Sequence, residues 1–225
     1  MFRTRLVAAL TVALMTPVAF ADSQDIDKVN GSITAEPGRS YGSLETVNGS
    51  IHIEAGAHTG NAETVNGGIR VGDGAQTGGL ETVNGGIHLG TRVQVGKALE
   101  TVNGEIFVDR GGHVGGDVST VNGAIGLVDS DIDGGIDTVN GNVTVGVGSH
   151  VKGGIKVEKP STGWLPSITF GKRRPPRIII GPNAVVDGPL VFEREVTLYV
   201  HSSARIGKVS GATPVPFTGA HAPQD

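Results

Sequence analysis

Four glutamates recur at a nearly constant interval along the chain. Glu45, Glu63 and Glu81 are 18 residues apart, Glu100 follows 19 residues later, and each precedes a threonine. If these positions stack with the spacing of paired strands, about 4.8 Å, their carboxylates form a column on the surface. Carboxylate oxygens suit Ca²⁺, but the glycine-rich nonapeptide with its fixed Asp is missing. We therefore predict a solvated surface column whose repulsion is screened by salt.

Other chemistry finds little support in the sequence. His52 and His88 share a repeat position, but Arg70 and Phe107 occupy it in neighbouring coils, which argues against an array of metal ligands. No nucleophile elbow, zinc-protease motif or phosphate-binding loop occurs. We predict no catalytic residue, no metal and no cofactor, and hence no enzyme. A carboxylate pair that cleaves polysaccharide is the least favoured alternative.

A basic run lies in a proline-rich segment of the later chain. It consists of Lys172, Arg173, Arg174 and Arg177. Such a run can meet anionic envelope polymers or lipid head groups. It also suits an ordinary solvated loop, because charged side chains are mostly exposed. We predict an inserted loop at 156–177 and expect anion binding there as an alternative to a purely solvated surface.

The elements that position these side chains follow from an internal repeat. Val-Asn-Gly occurs seven times, at steps of 18 or 19 residues, and six of the seven copies follow a Thr. An aliphatic residue stands two positions after each Gly. The asparagines are Asn30, Asn48, Asn66, Asn84, Asn103, Asn122 and Asn140. A repeat this regular predicts a solenoid.

The length of the repeat decides the kind of solenoid. Helical repeats need about 33 residues or more, propeller blades about 40, and leucine-rich repeats about 20 to 29. A repeat of 18 residues fits three short strands with a tight corner after each. We therefore predict an all-β fold: a single-stranded parallel β-helix, or β-solenoid, with coils of about 18 residues and three short strands per coil. Stacked coils satisfy one another's backbone groups.

Alternation within a coil assigns residues to the inside or the outside. Ile69 and Val71 alternate at period two, as in a half-buried strand, and we predict that both point inward together with Val65. Asn-Gly is a strong turn signal because both residues tolerate positive φ, so it marks a common corner. Stacked asparagines can hydrogen-bond along the rod. We predict a structural Asn ladder with a Thr column beside it.

Composition and the N-terminal residues indicate where the protein is located. The chain has 225 residues, 37 Gly, no Cys and a net charge of −4, which gives no basic face for nucleic acid. Arg3 and Arg5 precede a short apolar run, and Ala19-Phe20-Ala21 follows as a cleavage site. We predict export to the periplasm or beyond, cleavage after Ala21, and no transmembrane segment in the mature chain.

The chain divides into five predicted segments. They are a signal peptide at 1–21, solenoid repeats at 22–155, the basic loop at 156–177, closing solenoid coils at 178–210, and a disordered tail at 211–225. The tail is assigned from its prolines and its terminal position. The closing coils are expected because repeat arrays need capping repeats.

Two groups of bacterial proteins resemble this pattern. The glycine-rich strands, with small aliphatics at steps of two and six, resemble the bactofilin-like, polymer-forming β-helix proteins over roughly Val29 to Val151 and Ile178 to Val209. That resemblance implies a non-enzymatic rod that assembles end to end without nucleotide. The repeated Glu-Thr-Val-Asn-Gly also resembles adhesin-like bacterial surface proteins. Bactofilins are cytosolic, so the export signal departs from the first group and fits the second better.

These features predict an exported structural scaffold of the bacterial cell envelope. The open ends of a rod carry unpaired backbone groups, so we expect self-assembly end to end. The alternative is a glycan- or surface-binding module, an adhesin, whose Thr, Asn and Glu face recognises cell-envelope polysaccharide.

Overall fold

The chain folds into a parallel β-solenoid. The computed structural model describes residues 24–160 and 175–223, and these form 27 strands and no helix. The strands build about nine coils with three sheets, of ten, seven and ten strands, and a full coil contributes one strand to each sheet. The predicted fold class is confirmed. In the described ranges there is accordingly no helix that could cross a membrane.

Each sheet forms one face of the rod. Face A contains β1 (Ile26–Asn30), β3 (Leu44–Asn48), β5 (Ala62–Asn66), β8 (Leu80–Asn84), β11 (Leu99–Asn103), β14 (Val118–Asn122), β17 (Ile136–Thr138), β20 (Ile155–Val157), β23 (Leu190–Phe192) and β26 (Val209–Ser210). Face B contains β2 (Ile33–Ala35), β4 (Ile51–Ile53), β6 (Ile69–Val71), β9 (Ile87–Leu89), β12 (Ile106–Val108), β15 (Ile125–Leu127), β18 (Val143–Val145), β21 (Arg177–Ile180), β24 (Thr197–His201) and β27 (Val215–Phe217). Face C contains β7 (Gln76–Thr77), β10 (Gln94–Val95), β13 (His113–Val114), β16 (Asp131–Ile132), β19 (His150–Val151), β22 (Val185–Val186) and β25 (Arg205–Ile206).

Strands pair in parallel with the equivalent strands of the next coil. Leu44 lies beside Ala62, and Ala62 beside Leu80, so the pairing register follows the repeat. Leu80 and Leu99 pair across a step of 19 residues. Because each inner coil bonds to the coils on both sides, the backbone polar groups are satisfied within the stack. The same register places like residues in straight columns along the rod.

The core is a narrow column of mostly aliphatic side chains. In the second coil it contains Leu44 and Thr46 from face A, Ile51 and Ile53 from face B, and Ala57, which precedes the isolated bridge at His58, all of them buried. The two residues from one strand stand two positions apart, as period-two alternation requires. Each coil therefore adds a thin layer to one continuous hydrophobic column.

The valine of Thr-Val-Asn-Gly points outward, so the prediction for Val65 is wrong. Val65 is 40% exposed and Val47 is 42% exposed, whereas Ile69 and Val71 are buried as predicted. The strand on face A begins three residues before this valine, and Ala62 takes its first inward position. Alternation then places Thr inside and leaves Glu and Val outside.

The threonines and glycines join each corner to the previous coil. Thr64 donates from Oγ1 to the carbonyl oxygen of Gly49 at 2.8 Å, and Thr82 donates to Gly67 at 2.8 Å. A Cβ on Gly67 would lie under 3.0 Å from the Gly49 carbonyl group. Close packing between coils therefore requires glycine at this corner. The sequence predicted that glycine is needed here for its positive φ, but among these corner glycines Gly31 alone has a positive φ.

The predicted loop interrupts the stack between β20 and β21. Ile155 pairs with Leu190, 35 residues later, whereas Leu44 and Ala62 show the usual step of 18. Residues 156–157 and 177 belong to the flanking strands, so the break is shorter than the predicted 156–177. Residues 161–174 and the predicted signal peptide lie outside the described residues.

The prediction of a disordered tail at 211–225 is wrong for its first part. Val215–Phe217 forms β27, which pairs in parallel with β24 and ends face B. Phe217 is buried, and its ring meets that of His201 edge-on, with centroids 5.0 Å apart. These three residues extend the stack beyond the predicted closing coils.

Candidate functional site

Face A presents two straight outward rows. They flank the buried threonines and so lie two residues apart on each strand, or about 7 Å. One, the carboxylate row, consists of Asp27, Glu45, Glu63, Glu81 and Glu100, each beside its equivalent in the next coil. The other, the valine row, consists of Val29, Val47, Val65, Val83, Val102 and Val121. The structure thus brings the four predicted glutamates together.

A groove runs between the two rows, above the buried threonines. One part, lined by Glu45 and Val65 among others, encloses about 360 Å³. The other part, lined by Glu100 and Val121 among others, encloses about 330 Å³. Together they extend from the first coil to the eighth, roughly 35 Å. This A groove has one charged wall and one apolar wall, and its shape suits an extended chain.

The carboxylate row is charged without paired cations. Among described residues, no Lys, Arg or His forms an ion pair with Glu45, Glu63, Glu81 or Glu100. Like charges directly opposite one another on paired strands destabilise a sheet. In the same described ranges, no group of three or more His, Cys, Asp or Glu is placed to hold a metal ion. The row is exposed along one wall of the A groove, and Lys97 lines a neighbouring depression together with Glu63, Glu81 and Glu100.

The far end of the A groove has mixed charge. Burial raises the pKa of Asp137, and the nearby carboxylates of Asp117 and Glu158 raise that pKa further. Lys156, which follows Asp137 in register, lies 2.6 Å from Glu158 and 3.4 Å from Glu193. The carboxylate row from Asp27 to Glu100 therefore lies in the first five coils, apart from this mixed end.

Face B presents a single outward row, because the first and last residues of its three-residue strands point inward. In coils two to five this row consists of His52, Arg70, His88 and Phe107, which we call the B ridge. Arg70 lies between two open depressions of about 380 and 230 Å³. His88 lies 3.1 Å from Glu105. The same coils therefore carry a ridge that contains the cation Arg70 on one face and a carboxylate row on another.

The seven predicted asparagines lie in line at the corner between faces A and B. From the second onward, each donates from Nδ2 to the Oδ1 of the asparagine in the previous coil, at 3.0 or 3.1 Å. The final Oδ1, that of Asn140, accepts from Nη1 of Arg194 at 2.6 Å. The same Nη1 donates to the carbonyl oxygen of Val139 at 2.9 Å. The ladder's amides bond to one another, which indicates a structural role.

Face C carries a set of ion pairs that the sequence did not reveal. Asp133 lies 2.6 Å from Lys152 and 3.4 Å from His113, and His150 lies 2.6 Å from Asp187. The hydrogen bond from Lys152 lowers the pKa of Asp133. Alignment of the coils by their register could have revealed these pairs, because each pair joins neighbouring coils. Exposed pairs of this kind contribute little to stability.

Of the four predicted anion-binding residues, Arg177 lies within the described part of the chain. Lys172, Arg173 and Arg174 lie outside the described residues. Arg177 begins β21, and its guanidinium carbon lies 5.2 Å from the centre of the Tyr199 ring. Its Nη2 donates to the carbonyl oxygen of Pro223, and its backbone N donates to Asn142 at 2.9 Å. Arg177 therefore ties the closing coils to the end of the chain.

Both ends of the described rod carry residues that discourage further pairing. Lys28 and Arg39 stand at positions that small buried residues occupy in the next coil. On the last strand, Pro216 pairs with Val200 and has no N–H to donate. Charged residues at inward positions and proline are both known to blunt sheet edges.

These features define the class of the protein: a parallel β-solenoid that presents straight rows of repeated side chains on its faces. Comparisons of the chain with models of protein families, with curated proteins and with solved structures found no match.

Proposed function

We propose that the protein is an exported, non-enzymatic structural element of the bacterial cell envelope, located in the periplasm or at the cell surface. The observation that carries the proposal is the in-register stack of face A from β1 to β26 around one core. Such a stack makes a straight body, and each outward position becomes a row along it. A row of identical groups acts along its length on an extended partner.

The shape of the surface supports this proposal. Sites for small molecules are concave and enclose most of their ligand, with a few convergent polar groups. The depressions on faces A and B are open and are lined by residues that recur in each coil. A repeated surface of this kind suits multivalent binding better than catalysis at a single bond.

Two measurements test the proposal. Expression of the full chain in a bacterial host should yield a protein that begins at Asp22 and fractionates outside the cytoplasm. The purified protein should turn over linear polysaccharides no faster than buffer alone. An unprocessed cytoplasmic chain would contradict export, and turnover that one or two carboxylate substitutions abolish would contradict the non-enzymatic role.

The A groove favours a second candidate function, that of a glycan-binding or adhesin-like module. A linear polysaccharide is an extended chain whose hydroxyl groups can donate to carboxylates such as Glu63 and Glu81. Its less polar ring faces can contact the valine row. The groove offers both kinds of contact in every coil, so affinity would accumulate along the polymer.

Substitution of three glutamates tests this second function. Glu63→Gln, Glu81→Gln and Glu100→Gln together should abolish co-sedimentation of the protein with purified cell walls. The matched control removes the same charge at exposed sites outside the A groove: Glu36→Gln, Glu54→Gln and Glu195→Gln. Equal retention of the two triple variants would exclude the groove as the glycan site.

A further inference from the structure

We infer that copies of this chain associate side by side, with the B ridge of one copy seated in the A groove of the next. The inference rests on the proposed structural role and names its partner as a second copy. It is carried by two complementary rows that the same coils place on neighbouring faces.

The two faces are complementary in shape. Face A has two outward residues per coil, with a groove about 7 Å across between them, whereas face B has one. A single row of side chains therefore fits between two rows. Both faces repeat once per coil because the same coils build them, so the fit continues along the rod without adjustment.

The two faces are also complementary in charge. Arg70 of the B ridge belongs to the coil that carries Glu63, and Glu81 lies in the next coil. Two parallel rods with their ends level bring the Arg70 guanidinium of one copy to the carboxylate row of the other. A guanidinium binds carboxylates with two parallel hydrogen bonds. The contact would relieve the repulsion within a row that has no paired cations among described residues.

The two rows end in the same coil. After Glu100 the carboxylate row continues with Ser119, and after Phe107 the B ridge continues with Gly126. Phe107 is 36% exposed, and in level rods it faces the valine row near Val102, which is 39% exposed. A shared end point is expected if the rows contact each other.

The ends of the rod favour lateral contact over end-to-end contact. Stacking on the first coil would bury Lys28 and Arg39 at inward positions, and burial of unpaired charges is costly. Pro216 blunts the other end. A contact between two different faces leaves one A groove and one B ridge free in each pair, so further copies can add.

Sedimentation velocity of the mature chain, residues 22–225, tests the inference. We expect oligomers that grow with concentration and dissociate as salt rises, because the contact is ionic. Arg70→Glu should raise the dissociation constant about tenfold or more. Arg70→Glu combined with Glu63→Arg should restore association. Arg110→Glu makes the same charge change at an exposed site outside both surfaces and should associate like the wild type.

Each outcome either supports or overturns lateral association of the rods. A wild-type chain that stays monomeric at every concentration overturns the inference. An oligomer that Arg70→Glu leaves unchanged also overturns it, because such an oligomer indicates contact through the ends of the rod. A monomer that binds linear polysaccharide through the A groove overturns the pairing but leaves the glycan-binding function standing. Polysaccharide turnover overturns the structural role itself. Circular dichroism melting shows whether each variant is folded.

Discussion

Arg194 and Asn140 form the contact that ends the Asn ladder. They are 54 residues apart in sequence, and Nη1 of Arg194 lies 2.6 Å from Oδ1 of Asn140. Each earlier asparagine in the ladder accepts a hydrogen bond from the next coil, so the last amide oxygen requires a donor from elsewhere. The guanidinium supplies a charged donor and ties the closing coils to the repeat region.

Loss of the Arg194 side chain should destabilise the fold. We expect Arg194→Ala to lower the free energy of unfolding by about 1 to 2 kcal/mol, because hydrogen bonds to charged groups are worth more than neutral ones. Urea denaturation followed by circular dichroism measures the change. Arg205→Ala, at an exposed site on face C, is the control and should lie within about 0.5 kcal/mol of the wild type. Equal effects at the two positions would contradict the role of Arg194 in ending the ladder.

An inner asparagine should matter more than the first. Asn84 donates to Asn66 and accepts from Asn103, whereas Asn30 accepts from Asn48. Each such bond is worth about 0.5 to 1 kcal/mol, so Asn84→Ala should cost about twice as much as Asn30→Ala. Thermal denaturation of the two variants gives the comparison. If both melt like the wild type, the ladder adds no stability.

The corner glycines from Gly49 onward should tolerate no side chain. In Gly67→Ala the new Cβ meets the backbone of Gly49, so a coil must shift, and we expect a loss of roughly 3 kcal/mol or more. Gly74→Ala is the control, since Gly74 has a φ of +66° and open space around its Cα. Left-handed backbone alone costs about 1 to 2 kcal/mol for alanine. A larger loss at Gly74 than at Gly67 in denaturant titrations would contradict close packing at the corner.

The sequence predicts what repeats and fails where a partner lies outside the repeat. The corner asparagines and the glutamate column follow from spacing alone, because in-register pairing places like residues together. Arg194 could not be found in this way, since it follows the interruption between β20 and β21. The strand at Val215–Phe217 was hidden by Pro216 within it and Pro214 just before it, since prolines suit an edge strand as well as a disordered tail.

The orientation of face A was the main error in the predicted core. The motif Thr-Val-Asn-Gly suggests that valine is inside, because valine is the apolar residue. The residue three positions before it, Leu44 in the second coil, decides the orientation instead, since burying Leu44 forces Thr46 inward and Val47 outward. A buried threonine is tolerated here because its hydroxyl donates to a glycine carbonyl group.

Asp137 should make stability depend on pH. Its pKa is raised in the folded state by burial and by neighbouring carboxylates, so the folded chain binds more protons than the unfolded one. The group therefore contributes stability at acid pH that is lost as pH rises through the raised folded pKa. Asp137→Asn should melt at a higher temperature than the wild type at neutral pH.

The difference in melting temperature between Asp137→Asn and the wild type should vanish near pH 3.9 or below. This pH is about the ordinary pKa of Asp, and below it the folded and unfolded wild-type chains are both protonated at Asp137. Differential scanning calorimetry across this range measures the difference. Asp131→Asn makes the same chemical change at an exposed site on face C. A pH-independent difference at Asp137 would contradict the raised pKa.

Disulfide formation between introduced cysteines tests the in-register stack most directly, because the chain has no cysteine of its own. Glu63 and Glu81 are direct neighbours, and strands about 4.8 Å apart place their Cα atoms within disulfide range. Glu63 and Glu100 are two coils apart, about 10 Å, which is too far. Oxidation of the dilute protein should give an intramolecular bridge in the double variant Glu63→Cys, Glu81→Cys and free thiols in Glu63→Cys, Glu100→Cys, as read by mass spectrometry. Free thiols in the first variant with a bridge in the second would contradict the stack.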